Sequence, residues 1–269
     1  MKHIFLFSFL SIFFLGSASA GAKIHTEAVS YSHGGVALEG YLAYEDGRTG
    51  QRPGILIFHE WKGLGDYVKK RAVMLAELGY VAFAADMYGK GVYAKDHNEA
   101  ALLSGAFREN RELMRARAKA GLEVLRNHPK VDPENLAAIG YCFGGTAVLE
   151  MARASFDLKG VVSFHGSLST LAPAEPGAIE AKVLVMHGAN DKFVSPEVSA
   201  FEAEMKNSGA DWQFVSFGGA VHSFTVPEAG NDPSANIAYH PEADRRSWQM
   251  MLLFFDEIFP AHGSQSSHP

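Results

Sequence analysis

The hexamer Gly140-Tyr141-Cys142-Phe143-Gly144-Gly145 constrains this chain more than any other stretch. The apolar run Leu136-Ala137-Ala138-Ile139 leads into it, and the helix-forming run from Thr146 to Ala152 leads out, so the local order is strand, sharp turn, helix. A nucleophile at such a turn sits in a strained backbone conformation, and glycines two residues before and two after it leave the space it needs. The residue in that position is Cys142, where a serine is more usual. The N–H of Phe143, first on the helix, would point at a developing oxyanion, and the positive helix end would favour a thiolate on Cys142. The alternative is a buried structural cysteine beside a packing glycine pair, since free cysteine is among the most buried residue types.

The flanking sequence gives the turn a setting. An antiparallel hairpin is expected from Val29-Ser30-Tyr31 and the stretch Val36 to Tyr44, joined by the turn Ser32 to Gly35. Ile55-Leu56-Ile57-Phe58 is apolar on both faces, as in a covered parallel strand, and runs into the loop His59 to Gly65. A helix from about Asp66 to Leu78, stopped by Gly79, then a strand Tyr80 to Ala85 and the loop Asp86 to Gly91 repeat the unit. A helical stretch from about Asn98 to His128, with Gly105 and Gly121 as breaks, precedes the Cys142 strand. Beyond it come strand Gly160 to Phe164, strand Lys182 to Met186, helix Pro196 to Asn207, strand Trp212 to Phe217 and an amphipathic helix from near Arg245 to Ile258. This alternation predicts an α/β fold, a mostly parallel central sheet with helices on both faces.

The first 20 residues stand apart. Met1-Lys2-His3 is a short basic start, Ile4 to Leu15 is almost wholly apolar, and Gly16 to Ala20 ends in a small-x-small site, which together predict a secretory signal peptide cleaved after Ala20. The apolar run is shorter than the roughly 18 to 20 residues of a spanning helix, so no stable membrane insertion is expected after cleavage. The remainder, 21–269, has the length of a single large α/β domain. A formal charge of −6 without a basic cluster excludes nucleic acid as an expected partner. The one cysteine cannot form an internal disulfide, and neither Cys-x-x-Cys nor His-Glu-x-x-His occurs, so no metal or organic cofactor is implied. In an oxidising periplasmic or secreted setting an unpaired thiol is either buried and inert or reactive.

Reactive groups in such sheets gather beyond the carboxyl ends of the strands. After Lys182 to Met186 comes His187-Gly188-Ala189-Asn190-Asp191, and after Trp212 to Phe217 comes Gly218-Gly219-Ala220-Val221-His222. Nucleophile, acid and base thus follow in the order Cys142, Asp191, His222, the chain order of a hydrolase triad. On this reading His222 takes the Cys142 proton and Asp191 holds its imidazole. His187 is the main rival for the base and His165 a lesser one. A second oxyanion donor is expected from the N–H of Trp61, meeting that of Phe143. Glu60, just before it, either restrains the resting thiol or makes a loop salt bridge with Lys62 or Arg71.

With these residues in hand, the chain resembles the dienelactone hydrolase family of α/β-hydrolases. The resemblance runs through His59-Glu60, Asp86-Met87-Tyr88, the Cys142 hexamer, Gly188 to Asp191 with Phe193-Val194, and Gly219-Ala220-Val221-His222-Ser223-Phe224. It implies the α/β-hydrolase fold, Cys142, Asp191 and His222 as the triad, Glu60 as the carboxylate beside the resting thiol, and Ser223 as a site-lining residue. Members that open dienelactone carry two arginines that grip the substrate carboxylate; here those positions hold Lys90 and Val226. Lysine lacks the bidentate fork and valine lacks charge, which points to a less anionic substrate. The expected activity is carboxylesterase or lactone hydrolysis of a small molecule through an acyl-thioester. Thioester or peptide hydrolysis on the same scaffold and a non-hydrolytic thiol-redox or binding role are the alternatives. The segments 87–110 and 225–240 are expected to shape the pocket, and the oligomeric state stays open.

Overall fold

The computed structural model describes residues 23–259; the expected signal peptide lies outside them. Strands β1 (Ile24–His33) and β2 (Val36–Glu45) form the expected hairpin, longer at its first strand than the sequence pattern indicated. The remaining strands are β3 (Arg52–Phe58), β4 (Val81–Ala85), β5 (Val131–Tyr141), β6 (Gly160–Phe164), β7 (Lys182–Gly188) and β8 (Trp212–Phe217). They build one eight-stranded sheet in the order β1-β2-β4-β3-β5-β6-β7-β8. Pairing is antiparallel from β1 to β2 and from β2 to β4, and parallel throughout the rest. The sheet is therefore mostly parallel, with the hairpin at one edge.

Alternation within the covered strands assigns each residue to one of two cores. Leu56 and Phe58 of β3 face one layer, packed against α2 (His97–Glu109), α3 (Arg111–Arg126), α4 (Phe143–Arg153) and α5 (Val198–Ser208). Ile55 and Ile57 face the other, against α1 (Asp66–Glu77) and α6 (Pro241–Ile258). Helices thus cover both faces.

Two local expectations are corrected. The long helical stretch divides at neither glycine: it breaks at Asn110, whose side chain accepts from Leu113 N–H at 2.9 Å and caps α3. Gly121 continues α3, and a Cβ there would lie 2.8 Å from Ala85 Cβ, so the glycine serves close approach of α3 to the sheet. The last helix begins at Pro241, with the His240 ring accepting from Ala243 N–H as its cap. Proline at the first helical position starts a helix as readily as it stops one.

Helix α4, which leaves the Cys142 turn, is anchored along its length. Arg153 donates to both carboxylate oxygens of Glu204 on α5 at 2.8 and 2.7 Å and also to Leu168 O, while buried Glu150 accepts from Arg153 and from Arg115 of α3. Both carboxylates are paired and multiply bonded, the condition for tolerating buried charge.

Candidate active site

Cys142 joins β5 to α4 with φ +53° and ψ −111°, a conformation that side chains other than glycine seldom adopt. The two glycines that permit it are in close backbone contact. A Cβ on Gly140 would lie 2.0 Å from Gly144 O, and one on Gly144 would lie 2.3 Å from Phe58 O. Cys142 N–H donates to Phe164 O at 3.0 Å, tying the turn to the neighbouring strand β6.

Two later loops meet the sulfur. His222 Nε2 lies 3.1 Å from Cys142 Sγ, and His222 Nδ1 lies 2.8 Å from Asp191 Oδ2. Asp191 is fully buried. Its second oxygen accepts from the N–H groups of Phe193 (2.9 Å) and Val194 (3.3 Å). Burial alone would raise the Asp191 carboxyl, but the bonds from His222, Phe193 and Val194 hold it below the usual carboxylate range. Burial likewise pulls His222 down, and the neighbouring Cys142 and Asp191 outweigh it, pushing the imidazole up to about 10. A proton therefore resides readily on His222, between a sulfur and a carboxylate.

The rivals for the base are engaged elsewhere. His187 is buried, with Nε2 3.4 Å from Ser195 Oγ and its ring against Phe214. His165 Nε2 is 2.8 Å from Thr225 Oγ1. Burial lowers the pKa of both rings.

The loop after β3 abuts the helix end. The His59 and Phe143 rings are 5.8 Å apart, and Tyr88 donates its hydroxyl to Trp61 O at 2.9 Å. His59 Nδ1 is 2.6 Å from Glu60 O, while Nε2 accepts from Met87 N–H at 3.2 Å. These bonds set the path of the loop that carries Glu60 and Trp61. Phe143 occupies the first position of α4, directly after Cys142, as expected of the first oxyanion donor; Trp61 lies on the neighbouring loop, with its carbonyl held by Tyr88.

Glu60 is partly buried and, among the described residues, forms no salt bridge; Arg71 pairs instead with Asp244. Burial raises its carboxyl to about 7, opposed by His222 and Lys62 and aided by Glu228. A carboxyl raised on folding contributes its full stability below the unfolded value near 4.5 and loses it as pH rises through about 7. Glu60→Gln is therefore expected to melt roughly 3–8 °C higher than wild type at pH 8.5, a gap that closes between pH 7 and pH 4.5. Thermal unfolding of both proteins across that range checks this; no gap at pH 8.5 would contradict it.

Lys90 Nζ lies 2.6 Å from Glu39 Oε2, so its charge is engaged on β2. Ser223 directly follows His222, is buried and has φ +59°. Val226 is buried as well. Phe193, by contrast, is 56% exposed with its ring 5.8 Å from His222, an apolar surface at the mouth.

Sequence reasoning passed over Asn236. Its carbonyl accepts from His222 N–H at 3.2 Å, its Oδ1 accepts from Lys192 N–H at 3.0 Å, and its Nδ2 is 3.4 Å from Asp191 Oδ1. It links the acid loop to the base loop. Its left-handed φ of +62° after Asp232-Pro233 is a turn signal, one that places asparagine without revealing what it touches. Among the described residues, no group of three or more His, Cys, Asp or Glu is placed to hold a metal, and no helix is long and apolar enough to cross a membrane.

Comparison with known proteins agrees with this architecture. Residues 38–259 match the model of the dienelactone hydrolase family. The solved protein m3DLH is 39% identical with a TM-score of 0.83, over 88% of this chain and 99% of that one. A dienelactone hydrolase-like promiscuous phosphotriesterase from metagenomic libraries is 38% identical with a TM-score of 0.81, over the same shares. Protein usf of Aquifex pyrophilus is 28% identical over 86% of this chain and 98% of its own. The chain belongs to the dienelactone hydrolase family and is an ester or lactone hydrolase of the α/β-hydrolase superfamily.

Proposed function

We propose that this hydrolase is cysteine-dependent, exported, and directed at small uncharged esters or lactones. The observation that carries the mechanism is the unbroken run of contacts from Cys142 Sγ to His222 at 3.1 Å and from His222 to Asp191 at 2.8 Å. Cys142, as thiolate beside the His222 imidazolium, attacks the carbonyl carbon and forms the C–S bond. The carbonyl oxygen becomes an oxyanion that receives the N–H groups of Trp61 and Phe143. Collapse breaks the C–O bond, His222 gives its proton to the departing alkoxide, and an acyl-thioester remains on Cys142. His222 then takes a proton from water, hydroxide adds to the thioester, and the acid leaves with the thiolate restored.

The electrostatics of the mouth support an uncharged substrate. Lys90 is spent on Glu39, Val226 offers no charge, and a carboxylate would be repelled by Glu60 once pH rises above about 7. Without a bidentate arginine, recognition of a carboxylate loses charge-assisted bonds worth about 1.5–3 kcal/mol each. Neutral aryl and alkyl esters are thus expected to exceed a dienelactone carboxylate in kcat/KM by roughly 10- to 100-fold. Steady-state kinetics on a panel of esters, lactones, thioesters and peptides tests this. Preference for the anionic lactone would overturn the substrate assignment, and preference for thioesters or peptides would redirect it.

A second reading draws on the 38% identical neighbour described as a promiscuous phosphotriesterase. Phosphotriesters are also uncharged, and attack of Cys142 at phosphorus would use the same groups. Paraoxon turnover by wild type, lost in Cys142→Ala, would support it.

Export rests on the segment 1–20. Amino-terminal sequencing of protein from the cell exterior or periplasm should begin at Gly21; a full-length cytoplasmic product would refute it.

A further inference from the structure

Behind His222 runs a buried polar chain that none of these hydrolytic steps uses. Arg71, on α1, is 6% exposed and stacked near the rings of Tyr67, Tyr141 and Trp248. Its Nη2 pairs with Asp244 and donates to Thr225 O at 3.1 Å, and its Nε donates to Tyr67 Oη at 3.2 Å. Tyr67 donates its hydroxyl to Thr225 Oγ1 at 2.6 Å. Thr225 Oγ1 lies 2.8 Å from His165 Nε2. Thr225 is fully buried and His165 nearly so.

The first two links of this chain have a fixed direction. Guanidinium groups only donate, so Tyr67 accepts from Arg71 and passes its own proton to Thr225. Thr225 Oγ1, with a proton and a second lone pair still free, meets His165 Nε2 at 2.8 Å. Burial pulls the His165 pKa well below the usual imidazole range, so the ring is neutral, and the Thr225 hydroxyl holds it in place. The ring stands edge-on to His222, centroids 5.4 Å apart, on a backbone with φ +41°. A non-glycine residue in that region persists only when its surroundings hold it there. Thr225 also lies inside the turn that follows His222: Ser223 has φ +59°, and Val226 N–H donates to Ser223 O at 3.0 Å. The clamp therefore grips that turn through both the backbone and the side chain of Thr225.

We propose that Arg71, Tyr67, Thr225 and His165 are positioning residues, a clamp that holds the turn 222–226 so that His222 stays on Cys142 Sγ with an uncharged ring at its back. This rests on Cys142 and His222 acting together as set out under the proposed function. Charged or titratable neighbours of His222 are Cys142 on the elbow, Asp191 and His187 from β7 and its loop, Glu60 from the loop after β3, and His165 itself.

Thr225→Val keeps the branched shape and removes the hydroxyl, and Tyr67→Phe removes the donor one bond further back. Each is expected to lower kcat about tenfold with KM within twofold, and Thr225→Ser should restore at least half of the wild-type kcat. The second readout is the rate of iodoacetamide alkylation of Cys142 at pH 6.5 relative to pH 9, which needs no substrate. In wild type the ratio should be high, the result expected of a sulfur held 3.1 Å from the His222 ring. In Thr225→Val and Tyr67→Phe it should fall at least fivefold. A wild-type ratio as low as that of a free thiol would overturn the Cys142–His222 reading itself. A high wild-type ratio, matched by both variants together with unchanged kcat, would overturn the clamp alone. If Thr225→Val does not fold, Tyr67→Phe decides.

Discussion

Cys142→Ala is expected to lower turnover of an activated ester by about 10⁴-fold or more while leaving the fold intact. The side chain removed is small, and its backbone conformation is held by Gly140, Gly144 and the bond from its N–H to Phe164 O, none of which needs sulfur. The loss would therefore fall on kcat. Without the thiolate, water must attack the ester directly, and only the oxyanion donors and binding surfaces remain to help it. Cys142→Ser should recover little, because a serine hydroxyl is a far weaker acid and a poorer nucleophile than a thiol, and its shorter side chain reaches less far toward His222 Nε2. Kinetics on both variants, with melting curves alongside, measure this. Turnover within tenfold of wild type in the alanine variant would remove Cys142 from the mechanism.

The second large effect concerns the turn itself. Gly140→Ala is expected to destabilise the protein by about 3 kcal/mol or more, because the new Cβ would sit 2.0 Å from Gly144 O and 2.2 Å from Gly144 C. Both atoms are backbone at the start of α4, and that helix is pinned further along by Arg153 to Glu204 and Leu168. The clash cannot be relieved by turning a side chain; the elbow must open. At about 2–4 °C per kcal/mol for a domain of this size, Tm should fall by roughly 6–12 °C. Gly105→Ala supplies the contrast. It lies in α2 with nothing within 4 Å of the added atom, and should stabilise by about 0.5–1 kcal/mol through helix propensity alone. Equal effects at the two sites would show that the packing around the turn is looser than described.

Much of this arrangement was legible in the chain before its folding was considered. Strand, turn and helix around Cys142 are encoded locally by apolar run, glycines and helix formers, and the parallel sheet follows from the repeated alternation. The loops bearing Asp191 and His222 could be located because catalytic side chains collect at one end of such sheets. Two kinds of feature were not legible: the choice among competing local break signals, and contacts between distant segments. Asn110 rather than Gly105 or Gly121 breaks the helical stretch because a capping side chain competes better there than a flexible backbone, and Gly121 is used for packing against Ala85. The partner of Arg71 is Asp244, 173 residues away, and no local pattern foretells it. Lys90 reads as a substrate ligand by position, yet β2 brings Glu39 to it first.

The central claim, that one sulfur carries the chemistry, is open to an unusually direct measurement because the chain contains a single cysteine. Iodoacetamide is added in substoichiometric steps, the free thiol remaining is counted, and turnover of a neutral aryl ester is read on each sample. Residual activity should fall in direct proportion to the thiol lost and approach zero when none remains, with substrate slowing the modification. Fully alkylated protein that still hydrolyses the ester at an undiminished rate would contradict the account.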